Sequence, residues 1–416
     1  MKSNQFFGEI VYLASPRKKQ RKMKIRLIII SALIGAVSGF GASAQTTEFL
    51  ETPGLKNPDV PENSADRVFL HGMQGGRRKL VRIPDVPGYK TLKCDFHIHT
   101  IYADAEVYPK GRVREAWADG LDVIAMTEHI GTFKNKIENL TDQNLPWEIA
   151  AAEGRNYGMI VVHGAEITRE KPFGHMNALF VKDCNAFAVN KYAKDKNGKT
   201  VTLETGWRKN DPKTMASDIK AAIDQDCFIL WNHPGWPDKK SDFYTIQKEL
   251  LDSGHLNGIE LCNHSEWYPK VLDWFDEFHI PMFANTDCHN PTNLDFGRCI
   301  RPMTLVLAEE YTEESLREAM FEGRILAFFD QKLAGDAKWV EALVRECLKL
   351  RVIDEEKGVV EITNVSDIEL QTLWDKHMSP VIFYPGTALR TTLKKGSEVE
   401  FINCFVGARN LKIQLW

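Results

Sequence analysis

The chain has 416 residues, of which 43% are hydrophobic, 10% aromatic and 26% charged, with a formal net charge of −4. That is enough chain for a large buried core and more than one domain, with the composition of a folded, water-soluble protein. It excludes a disordered chain, a collagen-like fibre and a repeat array.

The chain opens with a basic cluster from Arg17 to Arg26, an apolar run from Leu27 to Phe40, and the small residues Ala42-Ser43-Ala44. This order predicts a cleavable signal peptide over 1–44, with Met23 as an alternative start. The other reading is a retained membrane anchor, since no charge interrupts Leu27 to Thr47, a stretch barely long enough to span. Both readings take the remainder out of the cytoplasm. The expected location is therefore periplasmic or secreted, with no stable membrane span after processing. Residues 1–44 hold eight Lys/Arg and one Glu, so the remainder carries 45 basic and 56 acidic residues, a net of −11. That balance argues against a binder of long nucleic acid working through a basic face. The eight cysteines form no C-x-x-C pair, and several lie in apolar strands. They read as small buried hydrophobes rather than a disulfide framework.

Residues 45–90 are rich in Pro, Gly and charge and read as an N-terminal arm. From Thr91, short apolar strands alternate with helices. The strands expected are 91–97, 122–127, 159–167, 176–182, 227–232, 258–263 and 281–286. The helices expected include 111–119, 146–156, 213–224, 268–278 and 312–322. Their apolar residues recur at three- and four-residue steps, as in Val271, Trp274, Phe275 and Phe278. Such alternation predicts crossover units and a mostly parallel sheet, and seven strands suit a barrel better than an open sheet. After Phe329 the composition shifts. Residues 336–351 read as one helix, and 359–416 alternate as strands do, with turns at Pro385-Gly386 and Lys395-Gly396. The fold class is thus α/β: a barrel over 91–335 and a helix plus small β-sandwich over 336–416.

Metal-ligand residue types gather at the strand ends. His97 and His99 close the first strand, and residues two apart in a strand share a face, so both can grip one ion. Alone, H-x-H is a modest signal, equally two polar residues at a strand end. The other strands change the odds. Strand two ends in Thr127-Glu128-His129 and strand three in Gly164-Ala165-Glu166. His175 stands beside the start of strand four, His233 after strand five, and Asp287 and His289 after strand seven. Asp104 follows the first strand. In a barrel those ends converge on one mouth. Histidine with carboxylate suits Zn, Mn or Fe.

In these motifs, His97-Ile98-His99, Thr127-Glu128-His129, Glu166, His175, His233-Pro234 and Asp287-Cys288-His289, the chain closely resembles the polymerase and histidinol phosphatase (PHP) superfamily. The resemblance covers residues 91 to 330, with the motifs in order. It implies a distorted (β/α)7 barrel, two to three divalent transition metal ions, and phosphoester hydrolysis. Carried over by position, it implies a first metal on His97, His99, Glu166 and Asp287. A second would sit on bridging Glu166 with His175 and His233, and a third on Asp104, His129 and His289. Many relatives have His where this chain has Asp104, so the third site is expected to be weaker or to take a different ion. Glu166, Asp287 and His289 are the positions expected to act in catalysis. A secreted branch with a small C-terminal β domain, acting on phosphodiesters, looks most similar.

Outside the ligands the signals thin. Arg298 and Arg301 are candidates for phosphate oxygens through their planar forks, or are solvated loop arginines; Lys134 is a further cation nearby. Trp236, Asn263, His264 and Trp267 are candidates for lining the mouth, with structural roles equally open. His71, His163, His255, His279 and His377 fit no motif and read as structural. Two to three dications outweigh three carboxylates, which suits a phosphate. Metal ions held by these residues would bring the pKa of bound water toward neutral, and in-line attack of that water on phosphorus is the expected chemistry. No Ser or Cys nucleophile motif is present, so no covalent intermediate is expected. The expected function is a secreted phosphodiesterase acting on a small-molecule ester. The alternatives are a phosphate-scavenging phosphomonoesterase and a non-catalytic metal-binding or surface-recognition protein.

Overall fold

The computed structural model describes residues 64–66, 68, 78–130, 142–187, 192–194, 200–202, 212–237, 239–374 and 379–416. The signal-like segment, most of the arm, Lys134, His71 and His377 lie outside the described residues. Phe49–Trp416 forms one compact unit.

The chain builds β1 (Lys90–Asp95), α1 (Pro109–Ala118), β2 (Val123–Met126), α2 (Leu145–Tyr157) and β3 (Ile160–Ile167), with the three strands parallel. Every residue of β2 is buried because both faces are covered. Val123 and Ala125 enter one apolar cluster, Ile124 and Met126 another. Next comes β4 (Met176–Leu179), antiparallel to β3. This departs from the parallel pattern for a simple reason: residues 168–175 are too few for a crossover, so the chain must reverse. A hairpin of β5 (Tyr192–Lys194) and β6 (Thr200–Thr202) precedes α3 (Pro212–Asp224). β7 (Phe228–Trp231) pairs antiparallel with β4. After α4 (Thr245–Asp252), β8 (Leu256–Asn263) lies parallel to β7, and β9 (Glu266–Trp267) folds back on it. α5 (Lys270–Phe278) then leads to β10 (Met282–Asn285), parallel to β8. All seven expected strands are therefore present.

The remainder differs more from expectation. After α6 (Thr292–Phe296), three unforeseen strands follow: β11 (Met303–Ala308), then α7 (Glu313–Phe321), β12 (Ile325–Phe329) and β13 (Lys332–Gly335). β11 adds antiparallel to β1, so β1 has a neighbour on each side. No strand ladder joins β10 to β1 among the described residues. Their continuations do meet, through an Ile98–Cys288 bridge and a hydrogen bond of 2.8 Å from Asp287 N to His97 O. The ends of the first and last strands of the seven are thereby held side by side.

The expected boundary at 336 falls on the N-cap of α8 (Ala337–Cys347), where the Asp336 side chain accepts from Lys338 N. The expected longer helix is cut short by β14 (Leu348–Asp354). β14, β15 (Val359–Asn364) and β18 (Ala388–Thr392) make a separate sheet. β16 (Leu370–Trp374), β17 (Val381–Phe383), β19 (Glu398–Val406) and β20 (Arg409–Gln414) join the main sheet, because β13 pairs in parallel with β19. Val360, Phe401 and Leu411 share one apolar cluster with Leu305 and Leu333. The eight cysteines are free thiols, and all but Cys299 are buried.

Candidate metal centre

The strand ends deliver the nine residues singled out from the sequence to one place. His97 and His99 follow β1 and are wholly buried. His129 follows β2 and bridges to Glu166 near the end of β3. His233 follows β7, while Asp287 and His289 follow β10. His175 instead precedes its strand. Since β4 runs antiparallel, its beginning lies at the same end as the other strands' finish. His233 and Asp287 hold φ of +25° and +49°, a left-handed backbone that side chains other than glycine rarely adopt.

Glu166, fully buried, is the hub. Its Oε1 lies 3.0 Å from His175 Nδ1, 3.3 Å from His97 Nε2 and 3.7 Å from His233 Nε2, and its Oε2 touches His129. Asp287 Oδ1 lies 3.0 Å from His99 Nε2 and 3.2 Å from His97 Nε2. Asp104 Oδ1 lies 3.0 Å from His289 Nε2 and 3.2 Å from His129 Nε2. Four sets of ligand atoms each fall within 4.8 Å of one another: His97, His99 and Glu166; His97, His233 and Asp287; Glu166, His175 and His233; and His99, Asp104, His129 and His289. The third and fourth of these match the second and third metal sets expected from the sequence, with His99 added to the last.

The donor set fits divalent transition metal ions. Imidazole nitrogens and carboxylate oxygens converge with more lone pairs than protons to share. Within this crowd His99 Nδ1 and Asp287 Oδ1 are buried without a hydrogen-bond partner. His289 Nδ1 sits 2.8 Å from the Asp287 carbonyl, which only accepts, so Nδ1 carries the proton and Nε2 is left for a ligand role. In the protein alone, the charges compensate one another. Burial drives the His99 pKa down to about 3, helped by His129 and His289. Burial also opposes charge on His129, yet Glu166 and Asp104 carry its pKa up to about 10. Burial likewise works against the Glu166 and Asp287 carboxylates, but the surrounding imidazoles hold both well below the usual range. Metal ions would take the place of those shared protons.

A layer of buried groups sets the ligands, and the sequence reading missed it. Glu260 on β8 accepts from His97 Nδ1 (2.9 Å), His233 N (2.8 Å), Asn263 Nδ2 (2.8 Å) and Asn285 Nδ2 (3.0 Å). It turns His97 Nε2 toward the cluster. Thr168 Oγ1 and Asn232 Nδ2 donate to Glu166 at 2.8 and 2.9 Å. Arg112 donates to the carbonyls of His99, Cys288, His289 and Asn290, tying the ligand loops after β1 and β10 to α1. Glu128, beside His129, is raised by burial to a pKa of about 7 and accepts from Thr100. A carboxylate inside an apolar run, as Glu260 is in Gly258-Ile259-Glu260-Leu261, was the available signal.

A cleft of about 420 Å³ opens over the cluster, lined by Asp104, His129, His175, His233, Asp287 and His289 together with Trp236, Asn263 and His264. Trp236 is 49% exposed, its ring 5.3 and 5.4 Å from those of His175 and His233. Asn263 reaches the cleft with its amide engaged on Glu260. Three of the candidates lie outside the cleft lining. Arg301 is buried, its guanidinium bound to Asp95 (2.5 Å) and Thr286 (3.0 Å), so it is a strut beneath the mouth rather than a phosphate ligand. Trp267 packs on Phe329 and Phe405, away from the cleft lining. Arg298 is exposed beyond α6 and also lies outside that lining. His163 stacks on Trp147, and His279 caps α5, as structural residues do.

The fold matches a two-domain protein from Bacteroides vulgatus, described as containing a predicted PHP-like metal-dependent phosphoesterase. The likeness has a TM-score of 0.71 and 28% identity, covering 82% of this chain and 99% of that one. An uncharacterised protein of Methanocaldococcus jannaschii is 28% identical over 210 residues, 49% of this chain and 84% of its own length. A histidinol phosphate phosphatase from Lactococcus lactis, complexed with zinc, L-histidinol and phosphate, is 15% identical with a TM-score of 0.27, the match covering 57% of this chain and 96% of that one. No family model matches the chain.

Proposed function

From its membership of the polymerase and histidinol phosphatase (PHP) superfamily, we propose that the chain is a metal-dependent phosphoesterase that hydrolyses phosphodiesters. The observation that carries this reading is the convergence of six histidines and three carboxylates beneath an open cleft. The proposed ligands are His97, His99, Asp104, His129, Glu166, His175, His233, Asp287 and His289, holding two to three Zn, Mn or Fe ions. Such ions lower the pKa of bound water and polarise phosphoryl oxygens. Glu166, in contact with four imidazoles, would unite the sites and keep the rings in register. Glu260 and Arg112 would fix the ligands before substrate arrives, so little reorganisation is needed at reaction. Asp104 and His289 form the more open edge, where the His289 side chain is 35% exposed. That is the natural place for a departing alcohol.

Preference for a diester rests on what the cleft does not offer. Among the described residues, no Arg or Lys lines it. A monoester dianion gains most from extra cations around its free oxygens, whereas a diester monoanion needs fewer and can lay its second arm against Trp236. The signal-like N-terminus supports a periplasmic or secreted setting, and the net charge of −11 beyond residue 44 favours a small-molecule ester over long nucleic acid. Steady-state kinetics on bis(4-nitrophenyl) phosphate and 4-nitrophenyl phosphate, with the same metal and pH, test the reading. The expected result is a higher kcat/KM for the diester. A monoester preference of about tenfold or more would replace it with the phosphatase reading.

A further inference from the structure

Beside the metal cleft lies a second cavity of about 430 Å³. It shares His175, His233 and Trp236 with the cleft and is lined beyond them by Arg169, Asn232, Tyr244 and Gln247. Three of these residues are almost wholly buried and leave a polar atom without a hydrogen-bond partner among the described residues. Asn232 donates both ways from Nδ2, to Glu166 Oε1 at 2.9 Å and Asn177 Oδ1 at 2.8 Å, leaving Oδ1 unmet. Gln247 donates from Nε2 to the Phe173 carbonyl at 2.7 Å. A carbonyl can only accept, so this fixes the amide and leaves Oε1 unmet. Arg169 binds Asp218 through Nη2 (2.5 Å) and the Thr168 carbonyl through Nη1 (2.7 Å), leaving Nε unmet. Buried polar atoms are seldom left this way, and three around one cavity set out a pattern: two acceptors and one donor.

We propose that this cavity holds the non-departing arm of the substrate, a neutral alcohol that presents O–H or N–H donors to Asn232 and Gln247 and an acceptor to Arg169. The proposal rests on the phosphoesterase reading of the adjoining centre. Charge supports a neutral arm. Asp218 offsets Arg169, and Glu170 and Lys171 line the rim with opposite signs, so no net positive charge is left to draw a second phosphate. Trp236 stands between the two cavities, where its ring can lie against a flat or cyclic arm. Nucleosides and polyols share this chemistry.

The test uses three diesters with one leaving group, 4-nitrophenolate. Their other arms are thymidine (through its 5′ oxygen), glycerol and ethanol, and only the first two carry donors. The metal-loaded wild type should favour a donor-bearing arm over the ethyl arm by roughly tenfold or more in kcat/KM. Gln247→Met should collapse that ratio toward one. Trp236→Leu, at a half-exposed position, does the same service should the buried variant not fold. A second readout needs no turnover: quenching of tryptophan fluorescence by free thymidine or glycerol, saturable in the wild type and weakened in the variant. The nucleoside and glycerol arms tell the two sources apart. Equal kcat/KM for all three arms, or a preference that survives both substitutions, overturns the proposal; so does alcohol binding that is absent, meaning that water alone meets these atoms. Cleavage of no ester alongside variant-sensitive alcohol binding would uphold the pocket and remove the phosphoesterase reading.

Discussion

Buried polar side chains are treated in opposite ways in two regions of the molecule. Among the C-terminal strands, Asn364 donates to the carbonyls of Ile368 and Phe383 and accepts from Ser366. Asn403 donates to the carbonyls of Gln331 and Glu369 and accepts from Gln371 N. Both knots are closed, since every strong group meets a complementary one. At the strand ends, by contrast, imidazoles and carboxylates face each other in excess, and His99 Nδ1 and Asn232 Oδ1 find no hydrogen-bond partner among the described residues. In these two regions, completed hydrogen bonding goes with side chains that tie strands together, and incomplete hydrogen bonding goes with side chains gathered at the metal cleft.

That contrast can be broken at several points. The largest effect is expected at Glu166. Glu166→Gln removes the charge shared by four imidazoles and should lower kcat by roughly 10³-fold or more, while Asp104→Asn, at the edge of the cluster against His129 and His289, should cost less. Kinetics of both variants at saturating metal decide it, and equal losses would contradict a central hub. Next comes a histidine outside the cluster. Burial holds the His163 pKa at about 4, whereas His129 inside the cluster stands at about 10. The unfolded chain, with a histidine pKa near 6.5, binds the extra proton between pH 4 and 6.5. His163 therefore favours the fold above that window, and on the order of 3 kcal/mol is lost as pH falls through it. His163→Phe should flatten this acid limb in denaturant titrations; an unchanged slope would show that another group sets it.

Smaller effects probe the supports. Glu260→Gln weakens the hold on His97 and should reduce metal affinity by about 10- to 100-fold, measured by competition with a chelator; unchanged affinity would make Glu260 only a strand residue. Asn364→Ala opens a closed knot and should lower stability by about 2 kcal/mol while leaving turnover per folded molecule intact. A loss of activity there would erase the distinction between the two regions.

Much of the centre was legible in the sequence because strands point alternate residues to one face, and because histidines at strand ends have few competing explanations. The departures come from partners distant in sequence. Arg301 is held by Asp95, 206 residues away, so its loop position gave no sign of burial. His175 reaches the mouth only because β4 runs backward, a consequence of one short connection. Glu260 was hidden within an apolar strand, and β11 to β13 within a stretch read as a barrel's end. The pairing of β13 with β19, which ties the C-terminal strands to the main sheet, is set by tertiary contact alone.

The central claim is that the nine converging side chains form a hydrolytic metal centre. Titrating metal-free protein with Zn or Mn while following bis(4-nitrophenyl) phosphate turnover tests it most directly. Activity should be absent at the start, rise with added metal and saturate at about two to three equivalents per chain. Full turnover in the metal-free protein, or none at any metal concentration, would contradict the account.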